Sequence, residues 1–250
     1  MKVLFVGNSH QICVQQALRK WPETEDSFEF SQVAAGNLDA ALTIVNDAMV
    51  PTSRDLGIVS SMDRGSEGEI QIAGYDAIVL AALGTQVPRP ANTSAVANLV
   101  RFAKFACPQD EGPPLVSETV FLTMLETVLK SCKIVEFANK LYRATSQPVF
   151  LLPWPLPCVA AVEPNSSNFQ RFYGRFAEPA LRWYGTATYR VAERAKDSLE
   201  EGVTILDCIP KEWVDSGLSP AEFGAPDPWH MTADYGKMVI EALLRIGRAD

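Results

Sequence analysis

The chain has only two histidines, His10 and His230, and both stand near groups with which an imidazole can do chemistry. Ser9 directly precedes His10, and Asp227 lies three residues before His230 in Asp227-Pro228-Trp229-His230. A serine hydroxyl is a weak nucleophile at neutral pH and needs a base; histidine is the side chain best matched to that task. The histidine needs an acceptor of its own, to hold its tautomer and stabilise its cation. An Asp three residues earlier in the same loop can fold back to supply it. Ser9, His230 and Asp227 are therefore a candidate nucleophile, base and orienting carboxylate. His10 is the weaker base, because adjacent side chains diverge at a turn, and it reads as a neighbour that shapes the pocket. Plain structural roles compete: Asn8 or Ser9 as a helix N-cap, Asp227-Pro228 as a cap with Pro in the first helical position, and His230 as a surface or core residue.

These groups need elements that bring them together. Residues 2–6 are a short apolar run ending at Gly7, a strand pattern, and residues 11–18 follow with helix formers. Ser9 thus sits at a strand-to-helix turn, where free N–H groups and the helix dipole favour negative charge. Further strands are expected at 28–33, 77–83, 149–152 and 203–206. Helices are expected at 38–45, 94–105, from a Ser117 cap onward, at 134–142, across much of 169–195, and at 232–246. Residues 56–60 and 69–72, separated by Asp63-Arg64-Gly65-Ser66, read as a small hairpin outside the main sheet. Five strands alternating with helices predict a mainly parallel sheet with helices on both faces, in a single domain over 1–250 with the hairpin inserted at 55–73. In such sheets sites form outside the carboxyl ends of the strands. Ser9, Gly36, the 84–86 turn and the loop carrying Asp227 and His230 all follow strands in this way. Trp154, Trp229 and Pro153 are candidates to line an apolar pocket there.

Composition narrows the classes. With 22 Lys and Arg against 30 Asp and Glu, the net charge is −8, which argues against nucleic acid as a partner. No apolar run is long enough to span a membrane, and the N-terminal run turns polar too soon for a signal peptide, so the expected location is the cytoplasm. The five cysteines are scattered without CxxC spacing, which indicates neither a disulfide framework nor a metal site and leaves buried thiols as the expectation. No G-x-G-x-x-G follows the first strand, so a dinucleotide is not expected, and no cofactor is.

In their order along the chain these blocks resemble the SGNH (GDSL-like) hydrolases. Gly7-Asn8-Ser9-His10 is similar to that family's first block, usually G-D-S, and Asp227-Pro228-Trp229-His230 to its last, D-x-x-H. Gly36 matches the glycine after strand two. Gly84-Thr85-Gln86-Val87 keeps the glycine of the third block, G-x-N-D, but has Gln86 in place of Asn. The resemblance implies a flavodoxin-like three-layer α/β/α sandwich with a five-stranded, mainly parallel sheet. It implies Ser9, His230 and Asp227 as the triad, and an oxyanion hole from the Ser9 and Gly36 N–H groups with Gln86, or alternatively Asn37, as side-chain donor. The implied activity is hydrolysis of a small-molecule or carbohydrate acyl ester through an acyl-enzyme. An acyltransferase on the same scaffold, or a binding module that keeps the cleft without catalysis, are the alternatives.

Overall fold

The computed structural model describes residues 1–7, 9–22, 28–33, 41–53, 58–60, 69–81, 101–102, 115–130, 133–153, 155–156, 158–159, 182, 186–187, 189–190, 192–194, 196–224 and 231–246. Five strands form a parallel sheet at its centre: β1 (Val3–Gly7), β2 (Phe28–Val33), β7 (Ala77–Ala81), β10 (Val149–Leu151) and β11 (Val203–Ile205). Their order, β11-β10-β7-β1-β2, is that of the flavodoxin-like doubly wound sheet. The three central strands β1, β7 and β10 are short apolar runs buried throughout, as strands covered on both faces must be, whereas β2 carries Glu29, Ser31 and Gln32 and β11 is partly exposed.

Alternation along each strand separates two apolar layers. Leu4 and Val6, Ile78 and Leu80, and Val149 and Leu151 face one cluster, which also holds Ile134, Phe137, Ala138 and Leu141 of helix α3 (Lys133–Thr145). Val3 and Phe5, Val79 and Phe150 face the other. That cluster is closed by Val14, Ala17 and Leu18 of α1 (Ile12–Lys20) and by Tyr235, Val239 and Leu243 of α5 (Ala233–Ile246). The protein is a three-layer α/β/α sandwich. Two further helices are α2 (Glu118–Lys130), where the Val120 N–H donates to Ser117 Oγ at 3.4 Å, and α4 (Lys211–Ser216). That contact is the N-cap expected from Ser117.

Three parts of the outer structure differ from the sequence expectations. Residues 42–45 are not helical but form strand β3 (Leu42–Val45), paired antiparallel with β4 (Ala48–Pro51). Thr43, Ile44 and Val45 suit a pleated surface, and Asn46, with φ of 52°, makes the tight turn that joins the two strands. The expected hairpin of 55–73 pairs differently. β5 (Ile58–Ser60) adds antiparallel to β2 as a sixth strand of the main sheet, and β6 (Ile70–Gln71) joins β4. Each finds the unpaired edge of an existing strand, and open edges attract such additions. Within the expected helix of 94–105, Arg101–Phe102 is strand β8 and pairs parallel with β9 (Leu115–Val116); the remaining residues of that span lie outside the described residues. Most of 169–195 lies outside them too.

No helix among the described residues is long and apolar enough to cross a membrane.

Candidate functional site

β1 ends at Gly7 against Ala81, the last residue of β7. A methyl group on Gly7 would lie 2.6 Å from the Ala81 Cβ and 2.8 Å from its carbonyl oxygen. Glycine here is a matter of clearance: it lets two central strands run side by side to their carboxyl ends. After Asn8, which lies outside the described residues, the chain enters a 3-10 turn over Ser9–Gln11 and then α1. The backbone of Ser9 therefore stands where the sequence puts it, between a strand end and a helix start. His10 is half-buried, and its carbonyl accepts the Cys13 thiol at 3.2 Å.

The other end of the chain returns to the same place. Gly236, in the first turn of α5, packs on α1 so closely that a methyl group on it would meet the Cys13 carbonyl oxygen at 2.1 Å and the Val14 nitrogen at 2.8 Å. The first turns of the two helices thus touch backbone to backbone. Lys20 reaches Asp234 at 3.1 Å, and its ammonium also lies 4.6 Å from the centre of the Trp21 ring, so the pair is tied at a second point. Ahead of α5, Gly224 and Met231 form an antiparallel bridge, and the Thr232 N–H donates to the Phe223 carbonyl at 2.9 Å. These bonds bring together the residues on either side of 225–230, the span that includes Asp227 and His230. Met231 is itself buried in the same cluster as Val14 and Tyr235. The residue next to His230 is therefore anchored against α1, the helix that follows Ser9.

Of the sequence-derived site residues, Asn8, Gly36, Asn37, Gln86, Trp154, Asp227, Trp229 and His230 lie outside the described residues, as does the side chain of Ser9. Pro153 is described and buried at the exit of β10.

Gln11 was not singled out by its sequence. It is fully buried at the start of α1, and neither its amide nitrogen nor its amide oxygen has a hydrogen-bond partner among the described residues. A buried amide left this way costs free energy, so native structures rarely leave one without reason. Nothing in the sequence distinguishes this Gln from a solvated one; only its burial does.

The cysteines here are structural. Cys13, Cys158 and Cys208 are all buried and free. Burial pushes the Cys13 and Cys208 thiols up from 9.0 to about 12, so they stay protonated at neutral pH. Cys107 and Cys132 lie outside the described residues.

No protein-family model and no curated protein matches the chain. Among solved structures it is similar to a DUF4886 family protein from Bacteroides uniformis ATCC 8492, with a TM-score of 0.46 and 13% identity over 98% of this chain and 83% of that one. A protein from Streptococcus pneumonia, provisionally described as a platelet activating factor, is similar with a TM-score of 0.43 and 12% identity over 98% and 83% of the two chains. By its own strand order and layers, the chain is an α/β sandwich whose first and last helices meet at the carboxyl edge of the sheet.

Proposed function

We propose that the chain is a serine hydrolase of the SGNH type, which cleaves a small-molecule or carbohydrate acyl ester through Ser9, His230 and Asp227. One observation carries the reading: the first turns of α1 and α5 meet at Cys13 and Gly236, so the segments holding Ser9 and residues 227–230 enter the fold at one point. The two helices cover the same face of the sheet, and the chemistry rests on the residue types Ser9, Asp227 and His230 that flank them in sequence.

In this reaction Ser9 Oγ attacks the ester carbonyl carbon while His230 takes its proton. The carbonyl electron pair moves onto oxygen. The Ser9 and Gly36 N–H groups, with the Gln86 or Asn37 amide, receive that oxyanion beside the α1 N-terminus. Collapse of the tetrahedral species breaks the C–O bond to the alcohol, which leaves with the proton from His230. Water, deprotonated by His230, then attacks the acyl-Ser9 ester, releasing the acid and restoring the hydroxyl. Asp227 holds the imidazole in the accepting tautomer throughout.

The test is hydrolysis of p-nitrophenyl acetate by the wild type and Ser9→Ala. The expected result is measurable turnover that falls at least about a thousandfold in the variant. Equal activity in the two proteins would remove Ser9 from the mechanism. No turnover of any short acyl ester would favour the binding-module alternative, for which the Gln86 departure is the supporting feature.

A further inference from the structure

A cavity of about 520 Å³ lies off the edge strand β11. It is bounded by α4, by α5 and by the chain around 189–196. Its volume falls within the roughly 300–1,000 Å³ of small-molecule sites. The floor is apolar: Leu206, Cys208 and Ile209 are buried there, and Val214 and Met238 are half-buried beside them.

The rim carries one positive charge in excess, with Arg190, Lys196, Lys211 and Arg245 against Glu193, Asp207 and Glu241. Lys196 is held by Glu193 at 2.8 Å, and Glu241 lies 3.8 Å from Lys237. Arg190, Lys211 and Arg245 have no ion-pair partner among the described residues and share the rim with Asp207 and with Glu241, whose partner Lys237 lies outside the lining. The three cations come from three separate parts of the fold: the 189–196 segment, the start of α4 and the end of α5. In a chain of net charge −8, a rim with four cations to three carboxylates around one apolar hollow marks a local reversal of sign. An apolar floor takes a hydrocarbon chain, and the rim takes a negative head.

We propose that this cavity binds an amphipathic monoanion, a medium-length hydrocarbon chain ending in a carboxylate. Pro153, a candidate wall of the Ser9 pocket, also lines this cavity, but binding of the anion does not depend on the hydrolase reading. Binding buries the chain over Leu206, Ile209, Val214 and Met238, and leaves the carboxylate among Arg190, Lys211 and Arg245.

Calorimetric titration of the full chain with octanoate, octanol and octylamine tests this directly. Octanoate should bind, octanol at least tenfold more weakly, and octylamine not at all. The double variant Arg190→Glu/Lys211→Glu, in which only exposed side chains change, should raise the octanoate Kd at least tenfold and leave the octanol Kd within twofold. Val214→Trp, which fills the hollow, should weaken both ligands. Absence of octanoate binding would overturn the proposal. So would equal affinity for octanol, or an octanoate Kd that the charge reversals do not move.

Discussion

Gly236 of α5 lies so close to Cys13 of α1 that a methyl group on it would sit 2.1 Å from the Cys13 carbonyl oxygen. This contact joins the two helices whose N-terminal approaches carry Ser9 and His230. Gly236→Ala gains about 0.5–1 kcal/mol from better helix propensity. It loses more, because the obstacle is backbone that no rotamer change can move, and overpacking typically costs about 1–3 kcal/mol. Urea unfolding should therefore show net destabilisation, and esterase activity should fall by more than the folded fraction does. An unchanged unfolding midpoint would mean that the helices do not touch there.

At the other side of the turn, Gly7→Ala should push β1 away from β7. The ideal methyl position lies 2.6 Å from the Ala81 Cβ and 2.8 Å from the Ala81 carbonyl oxygen. A loss of about 1–3 kcal/mol is expected. Ala81→Gly alone should also destabilise, by about 0.5–1 kcal/mol. In the double variant the side-chain part of the clash disappears and the carbonyl part remains. The two losses should therefore sum to more than the double variant shows. Strict additivity in a denaturant cycle would contradict the contact.

Alkaline pH should unfold the protein through its buried thiols. Cys13 and Cys208 are raised from 9.0 to about 12, first of all by burial. The unfolded chain gives up these protons near pH 9 while the folded chain keeps them. Their contribution is therefore complete below about pH 9 and is lost progressively as pH rises toward about 12. Each thiol adds a slope of up to about 1.4 kcal/mol per pH unit in that window. Burial also raises the Tyr235 hydroxyl well above its ordinary value, which steepens the fall above pH 10. Unfolding free energies measured at pH 8, 9.5 and 11 should decline, and Cys13→Ala should flatten the decline. An equal slope in that variant would show that Cys13 titrates as if exposed.

Gln11 offers a trade between stability and activity. Its amide is fully buried and makes no hydrogen bond among the described residues. Gln11→Leu keeps much of the shape and removes the unsatisfied groups, so stability should rise by about 1–3 kcal/mol. If that amide meets substrate, kcat/KM for a short ester should drop at the same time. Destabilisation by Gln11→Leu would show that the amide is already partnered in solution.

The central strands were legible because burial on both faces leaves a plain record: short β-branched and aromatic runs such as Ala77-Ile78-Val79-Leu80 admit one reading when flanked by turns. The helical end of the chain was equally plain from its amphipathic spacing. The outer strands were not. Leu42-Thr43-Ile44-Val45 is too short for periodicity to decide, and its identity rests on Asn46 turning the chain back onto residues 48–51. The partners of β5 and β6 are set by which sheet edges lie open, a fact of the tertiary fold. For the candidate site, the residue types gave the chemistry, and Ser9 stands at the expected turn. The Gly236–Cys13 crossing, which brings the two chain ends together, has no signature beyond one glycine in a helix. Gln11 was hidden for the same reason: a solvated and an orphaned glutamine read alike.

The most direct test of the hydrolase account is covalent labelling with a fluorophosphonate probe, followed by mass mapping. The account predicts one modified residue, Ser9, with labelling abolished in Ser9→Ala and strongly slowed in His230→Ala. Label on any other serine, or an unlabelled protein that remains folded, would contradict it.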